Sequence, residues 1–98
     1  MEPVADKTSE TNYLLDCLIE ECAEVIQRAT KAKRFGLLEI QPEQPLTNQE
    51  RIVGELNDLV GAANLLLRTD HWQDSEAITA KEFKVLEFME YSRECGVL

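Results

Sequence analysis

Residues 11–34, TNYLLDCLIEECAEVIQRATKAKR, carry the longest helical pattern in the chain. Apolar residues recur there at helical spacing, and neither Gly nor Pro interrupts them. The pattern predicts one long helix that begins at Ser9 or Thr11 and ends near Arg34. Gly36 follows as its C′ residue, because glycine adopts a positive φ without a steric penalty. The apolar residues of this helix are Leu14, Leu15, Leu18, Cys22, Val25, Ile26 and Ala29.

A second helix is predicted to begin after Thr47. Residues 36–46 form a linker, because Pro42 and Pro45 fix φ and keep the residues before them out of the α region. Thr47-Asn48-Gln49-Glu50 then matches a capping box, in which Glu50 at N3 reaches back to the N-cap. The helix runs to about Arg68. Its apolar residues are Ile52, Val53, Leu56, Leu59, Val60, Ala63, Leu66 and Leu67.

The last part of the chain is also predicted to be helical. Residues 70–74, DHWQD, break the pattern, and a short helical turn is expected at residues 75–78. Thr79-Ala80-Lys81-Glu82 matches a second capping box, which predicts a helix from there to about Glu94, with Gly96 behind it. No stretch is typical of a strand.

These elements predict an all-α fold. We expect an antiparallel bundle of three to four helices in a single domain, residues 1–98, with a flexible tail at residues 1–8. A chain of about 100 residues has a small core. The bundle is therefore expected to be completed by oligomerisation.

Charge and cysteine content narrow the possible partners. The chain has 10 basic and 19 acidic residues and a net charge of −9. Such a surface disfavours binding to nucleic acid polymers and to anionic membranes. The sequence shows neither a secretory signal nor a run of about 18 apolar residues. The three cysteines form no CxxC pair, and we expect them to be reduced, small core residues. We therefore expect a cytoplasmic protein.

Acidic residues interrupt both predicted core helices. Glu20, Glu21 and Glu24 lie in LIEECAEVIQ, and Glu55 and Asp58 lie in VGELNDLVGAA. An unpaired charge beside an apolar stripe costs several kcal/mol, which a divalent cation such as Mg²⁺ would offset. Glu21/Glu24 and Glu55/Asp58 are i,i+3 pairs, so each pair can point at one spot. Two antiparallel helices could bring all four carboxylates around one or more cations.

One other interpretation of these acids is open, and a further one is disfavoured. They could line solvated helix faces, with Glu24 paired to Arg28. A di-iron site is disfavoured, because it needs Glu-x-x-His motifs and the single histidine, His71, lies in a predicted loop.

Basic residues follow the first acidic run. Lys31, Lys33 and Arg34 could hold phosphate oxygens, or they could complement the C-terminal end of the helix dipole. Trp72 could stack on a base, although a single loop tryptophan is more often a packing anchor. Two further residues considered for contact with a base or ribose are Asn57 and Asn64.

Glu-Glu-x-x-Glu on one helix and Glu-x-x-Asp on the next resemble the MazG-type all-α nucleoside triphosphate pyrophosphohydrolases. The resemblance covers about residues 14–67. It implies Mg²⁺, with Mn²⁺ as a substitute, and attack of water on a nucleoside triphosphate to leave the monophosphate and pyrophosphate. Glu20 matches the extra family glutamate, which adds metal binding or orients water, and Lys31 lies where family members often carry a basic residue. The implied metal ligands are Glu21, Glu24, Glu55 and Asp58, and the implied catalytic set is Glu20, Glu21, Glu24 and Lys31.

The connector differs from that of many family members. Its QPEQPL segment is longer, and with KAKRFG and PLTNQER it is similar to short phage-encoded MazG-like proteins. The resemblance implies a homodimer or a homotetramer with substrate pockets near the interface. The sequence therefore predicts a metal-dependent pyrophosphohydrolase. The alternative is a non-catalytic helical interaction module that keeps the fold.

Overall fold

A computed structural model describes residues 9–98, which form three helices: α1 (Ser9–Phe35), α2 (Asn48–Leu67) and α3 (Ser75–Glu94). Within this range the only pairing of extended backbone is an isolated bridge between Ile40 and Thr47. The predicted all-α class is confirmed, with three helices. The tail predicted at residues 1–8 lies outside the described range. No helix in the described range is both long and apolar enough to cross a membrane.

Helices α1 and α2 pack side by side as an antiparallel hairpin. The end of α1 meets the start of α2, because Asn48 Nδ2 donates to the Gly36 carbonyl oxygen at 2.8 Å. Farther from this junction, Glu21 of α1 lies beside Glu55 and Asp58 of α2. Both helices therefore extend away from the connector in the same direction, which brings the two acidic runs together.

The connector between α1 and α2 has a defined backbone. Gly36 has φ +105° and ends α1 as predicted, with its amide donating to Ala32 O at 2.8 Å. Pro42 lies in a turn closed by a 3.0 Å hydrogen bond from Gln44 N to Gln41 O. Glu43 follows Pro42 with φ +69°, the left-handed conformation that the third residue of a type II turn requires.

Asn48 joins this connector to α2. It is 2% exposed, and its side-chain amide donates to both Gly36 O and Glu39 Oε1. Its backbone N–H donates to Glu39 O at 3.0 Å. The connector is therefore held against the start of α2 by polar groups that the protein itself satisfies.

The contact between α1 and α2 covers only one edge of the apolar stripe that the sequence predicted for α1. The buried apolar residues in the described range are Ala63 and Leu66, both on α2. The inward side of α1 is marked by the buried or half-buried residues Leu14, Leu18, Glu21, Val25 and Arg28. Predicted core residues that are instead exposed are Leu15, Cys22, Ile26 and Ala29 on α1 and Val53 and Leu56 on α2. The apolar stripe of α1 is wider than one neighbouring helix can cover, so α2 covers only part of it.

Helix α3 packs against neither α1 nor α2. It begins at Ser75, where Asp74 is the N-cap and Asp74 Oδ1 accepts from the amides of Glu76 and Ala77. The predicted capping box at residues 79–82 is therefore wrong: Thr79 lies inside a continuous helix. Asp74 already satisfies the first amides, so the same residue pattern one turn later has no helix end to cap.

Candidate metal centre

Three carboxylates from two helices converge in the middle of the hairpin. Glu21 comes from α1 and Glu55 and Asp58 from α2, and one oxygen of each lies within 4.8 Å of the others. The i,i+3 spacing places Glu55 and Asp58 on one side of α2, and Glu21 lies on the inward side of α1. Glu21 and Glu55 are half-buried, whereas Asp58 is exposed. The cluster therefore has a closed side in the hairpin and an open side toward solvent.

The electrostatics of this cluster disfavour negative charge on Glu21. Partial burial is the largest cause that raises the Glu21 pKa above its usual value, followed by the charges of Asp58 and Glu55. Glu20 and Glu24 raise the pKa further. All five predicted carboxylates therefore belong to one electrostatic unit, although only three of them converge.

Glu20 and Glu24 lie outside the converging group. Glu24 is half-buried one helical turn beyond Glu21 on α1. Glu20 is exposed. Of the four predicted ligands, the structure brings Glu21, Glu55 and Asp58 together. The fourth, Glu24, lies one helical turn from Glu21 on α1. The described residues contain no ion pair between Glu24 and Arg28, which was the alternative role for Glu24.

The converging oxygens fit a small hard cation. Oxygens on opposite sides of a Mg²⁺ ion lie about 4.2 Å apart, since each Mg–O bond is about 2.1 Å. A spread of 4.8 Å is close to that span, so small side-chain rotations would bring all three oxygens onto one ion. The donors are all carboxylates, which suits Mg²⁺ or Mn²⁺ and not a soft metal. His71, in the loop after α2, pairs with Asp70 at 3.0 Å and takes no part in the cluster.

Arg28 lies near this site, and sequence analysis considered it only as a partner for Glu24. It lies on the inward side of α1, two turns beyond Glu21, and is only 7% exposed. Its Nη1 atom is enclosed and has no hydrogen-bond partner. The spacing Glu21–Arg28, i,i+7, was the available signal, because it places both residues on one helix face.

The three basic residues at the end of α1 separate into two groups. Lys31 is half-buried on the same side as Arg28, with Nζ 5.9 Å from the centre of the Phe35 ring. Lys33 and Arg34 are exposed in the last turn, where they complement the helix dipole. Of the three, Lys31 therefore lies best for a role at the site.

Trp72 and Asn64 belong to the far end of α2. The Trp72 indole Nε1 donates to Asn64 Oδ1 at 2.6 Å, so the two polar groups satisfy each other within the fold. Asn64 is nine residues beyond Glu55, which corresponds to about 13 Å along the helix. The structure thus favours a packing role for Trp72. Asn57 is exposed beside Asp58, and its contact with a base or ribose stays a prediction.

Comparisons with protein-family models, with curated proteins and with solved structures returned no match to this chain. The geometry of the centre is therefore the basis of the functional argument.

Proposed function

We propose that this chain is a metal-dependent nucleoside triphosphate pyrophosphohydrolase of the MazG-like all-α type. It would convert an NTP or dNTP to the monophosphate and pyrophosphate. The observation that carries the proposal is the convergence of Glu21, Glu55 and Asp58 from two helices within 4.8 Å. A cytoplasmic location stays a prediction from the sequence.

The residues present support this chemistry. Glu21, Glu55 and Asp58 would hold Mg²⁺ or Mn²⁺, with Glu24 as the adjacent fourth ligand that the family resemblance implies. Such a cation polarises a phosphoryl oxygen and lowers the pKa of a bound water. Glu20, exposed beside Glu21, is available to orient water, and Lys31 to hold a phosphate oxygen. Phosphoryl substitution depends on positioning and charge neutralisation, so no nucleophilic Ser or Cys is required.

The test is pyrophosphate release from a panel of NTPs and dNTPs with Mg²⁺. We expect Asp58→Asn to lower the rate at least about 100-fold, because loss even of outer-shell metal partners costs 10- to 100-fold. Glu87→Gln on α3 is the matched control and should retain the wild-type rate, since Glu87 is exposed and distant in sequence from the cluster. Circular dichroism should show that both variants keep their helices. A wild-type rate in Asp58→Asn would contradict the metal-ligand assignment.

The quaternary part of the proposal is a homodimer or homotetramer. It is supported by apolar side chains that the single chain leaves uncovered. Ile19 and Ile26 on α1 are 65% and 67% exposed, and Phe83 on α3 is 64% exposed. Exposed apolar faces of this extent are typical of protein interfaces. A second copy of the chain would cover them and complete the bundle.

One observation favours the alternative, a non-catalytic interaction module. Ile78, Val85 and Leu86 of α3 line an open apolar groove, and α3 contacts neither other helix. A module would need that groove but not the acidic cluster. In that case Glu21→Gln and Asp58→Asn would leave binding to the partner unchanged, whereas the enzyme would lose its turnover.

A further inference from the structure

Arg28 is buried without a partner in a chain that has an excess of acidic residues. It is 7% exposed, Nη1 donates to no carboxylate or carbonyl in the described range, and no ion pair involves it. A buried guanidinium normally pairs with a carboxylate, because desolvation of an unpaired charge is costly. An unsatisfied buried donor in a native fold indicates a missing partner.

The position of Arg28 relates that missing partner to the acidic cluster. Arg28 lies four residues beyond Glu24 and seven beyond Glu21 on the same inward side of α1. Seven residues span about 10 Å along a helix, and helical side chains tilt back toward the N-terminus. An Arg28 side chain that follows this tendency extends toward the carboxylates. It is still not close enough to lower the Glu21 pKa, since every neighbour that shifts that pKa raises it.

We propose that Arg28 binds a phosphate group of the substrate, namely the part of a polyphosphate chain that extends beyond the cation held by Glu21, Glu55 and Asp58. The guanidinium fork matches two phosphoryl oxygens, which gives it a selectivity for phosphate that lysine lacks. Nη1 is the Arg28 atom that is enclosed without a hydrogen-bond partner. Half-buried Lys31, three residues farther on, adds a second positive charge on the same side.

The identity of the anion as a phosphate chain rests on the proposed function, but the need of Arg28 for an anion does not. A residue kept for structure would make hydrogen bonds within the fold, as Asn48 does with Gly36 and Glu39. Arg28 makes none. Its replacement by an apolar side chain of similar length should therefore leave the fold as stable as before, or more stable.

The experiment measures binding of inorganic pyrophosphate to the full chain, with Mg²⁺ present, by isothermal titration calorimetry. We expect Arg28→Met to weaken pyrophosphate binding about 10- to 100-fold, the equivalent of losing one charged hydrogen-bonded pair. We also expect its melting temperature without ligands to be equal to or above that of the wild type. Arg93→Met is the control, because Arg93 is exposed on α3 and pairs only with Glu90. It should bind pyrophosphate as the wild type does.

Arg28→Lys keeps the charge and guards against a folding defect in Arg28→Met. It should melt as the wild type does and still bind pyrophosphate several-fold more weakly, because it lacks the fork. Wild-type affinity in both variants would overturn the inference, as would a lower melting temperature in Arg28→Met together with wild-type affinity in Arg28→Lys.

Pyrophosphate binding, measured alongside nucleotide hydrolysis by the same variants, separates this inference from the proposed function. Pyrophosphate binding that depends on Arg28, in a protein that hydrolyses no nucleotide, would support the anion site and reject the enzyme. Nucleotide hydrolysis with a KM unchanged in both Arg28 variants would support the enzyme and reject the anion site.

Discussion

At the residue scale, the fold holds the Glu21 carboxyl group in surroundings that disfavour its ionised form. Partial burial and four acidic neighbours raise its pKa together, and no basic group opposes them. A carboxylate with a raised pKa destabilises the folded state whenever it is ionised. That cost is absent below the ordinary pKa of 4.5, where Glu21 is protonated folded or unfolded, and it is complete above the folded pKa.

Glu21→Gln should therefore stabilise the metal-free protein at pH 7. The gain should shrink as the pH falls through the raised Glu21 pKa toward 4.5, because protonation removes the same charge in the wild type. Urea unfolding in EDTA at several pH values measures this difference in the free energy of unfolding between the variant and the wild type. With millimolar Mg²⁺ the order should reverse, since only the wild type gains stability by binding the ion. A variant less stable than the wild type at pH 7 in EDTA would contradict this account, and Glu87→Gln is the charge-matched control.

At the element scale, the helix ends differ in how they are capped. Thr47 and Glu50 form a reciprocal capping box: Glu50 N donates to Thr47 Oγ1, and Thr47 N donates to Glu50 Oε1. Glu50 Oε1 accepts from the Thr47 backbone amide and from the Thr47 hydroxyl, and these two hydrogen bonds, the backbone one first, lower the Glu50 pKa below its usual value. The same motif letters at residues 79–82 cap nothing, because α3 has already begun at Ser75.

Thr47→Ala should destabilise the protein by about 1 kcal/mol at pH 7, the usual cost of losing an N-cap side chain. Thr79→Ala is the matched control and should change stability by less than about 0.5 kcal/mol, as for an exposed mid-helix position. A depressed carboxyl pKa contributes stability above the ordinary pKa of 4.5, and this is lost as the pH falls through the folded value. The deficit of Thr47→Ala should therefore narrow in acid. Equal stability of both variants in urea unfolding would contradict the cap assignment.

At the scale of the whole molecule, the chain is extended for its length. Its radius of gyration is 17.0 Å, against about 13 Å for a compact domain of about 100 residues. The difference arises because α3 stands apart from the α1–α2 hairpin. Apolar side chains on α1 and α3 stay in contact with solvent as a result.

We expect the purified protein to have two or four times the chain mass of 11.2 kDa by light scattering after size exclusion. Leu86→Glu should shift it toward smaller species, because a charge in the apolar groove of α3 opposes burial against a second copy. Glu87→Gln serves as the control and should keep the wild-type mass. A mass of one chain for the wild type at all concentrations would contradict the oligomer.

Local patterns were sufficient to predict the all-α class, the ends of α1 and α2, the Thr47 capping box and the pairing of two acidic runs. Each depends on hydrogen bonds or spacing within a few residues of chain. The start of α3 was missed for an equally local reason, the competing cap at Asp74. Selection of Glu21, Glu55 and Asp58 from five carboxylates required knowledge of how α1 rotates against α2.

That rotation also exposed Cys22 and Ile26 and buried Arg28. Periodicity reports which residues share a helix face, but burial depends on which neighbour covers that face, and α2 covers only part of the apolar stripe of α1. Helical spacing in the sequence thus predicted where the acids would meet. The burial of Arg28 without a hydrogen-bond partner and the absence of contacts between α3 and the other helices were decided by packing, because both depend on contacts between segments far apart in the chain.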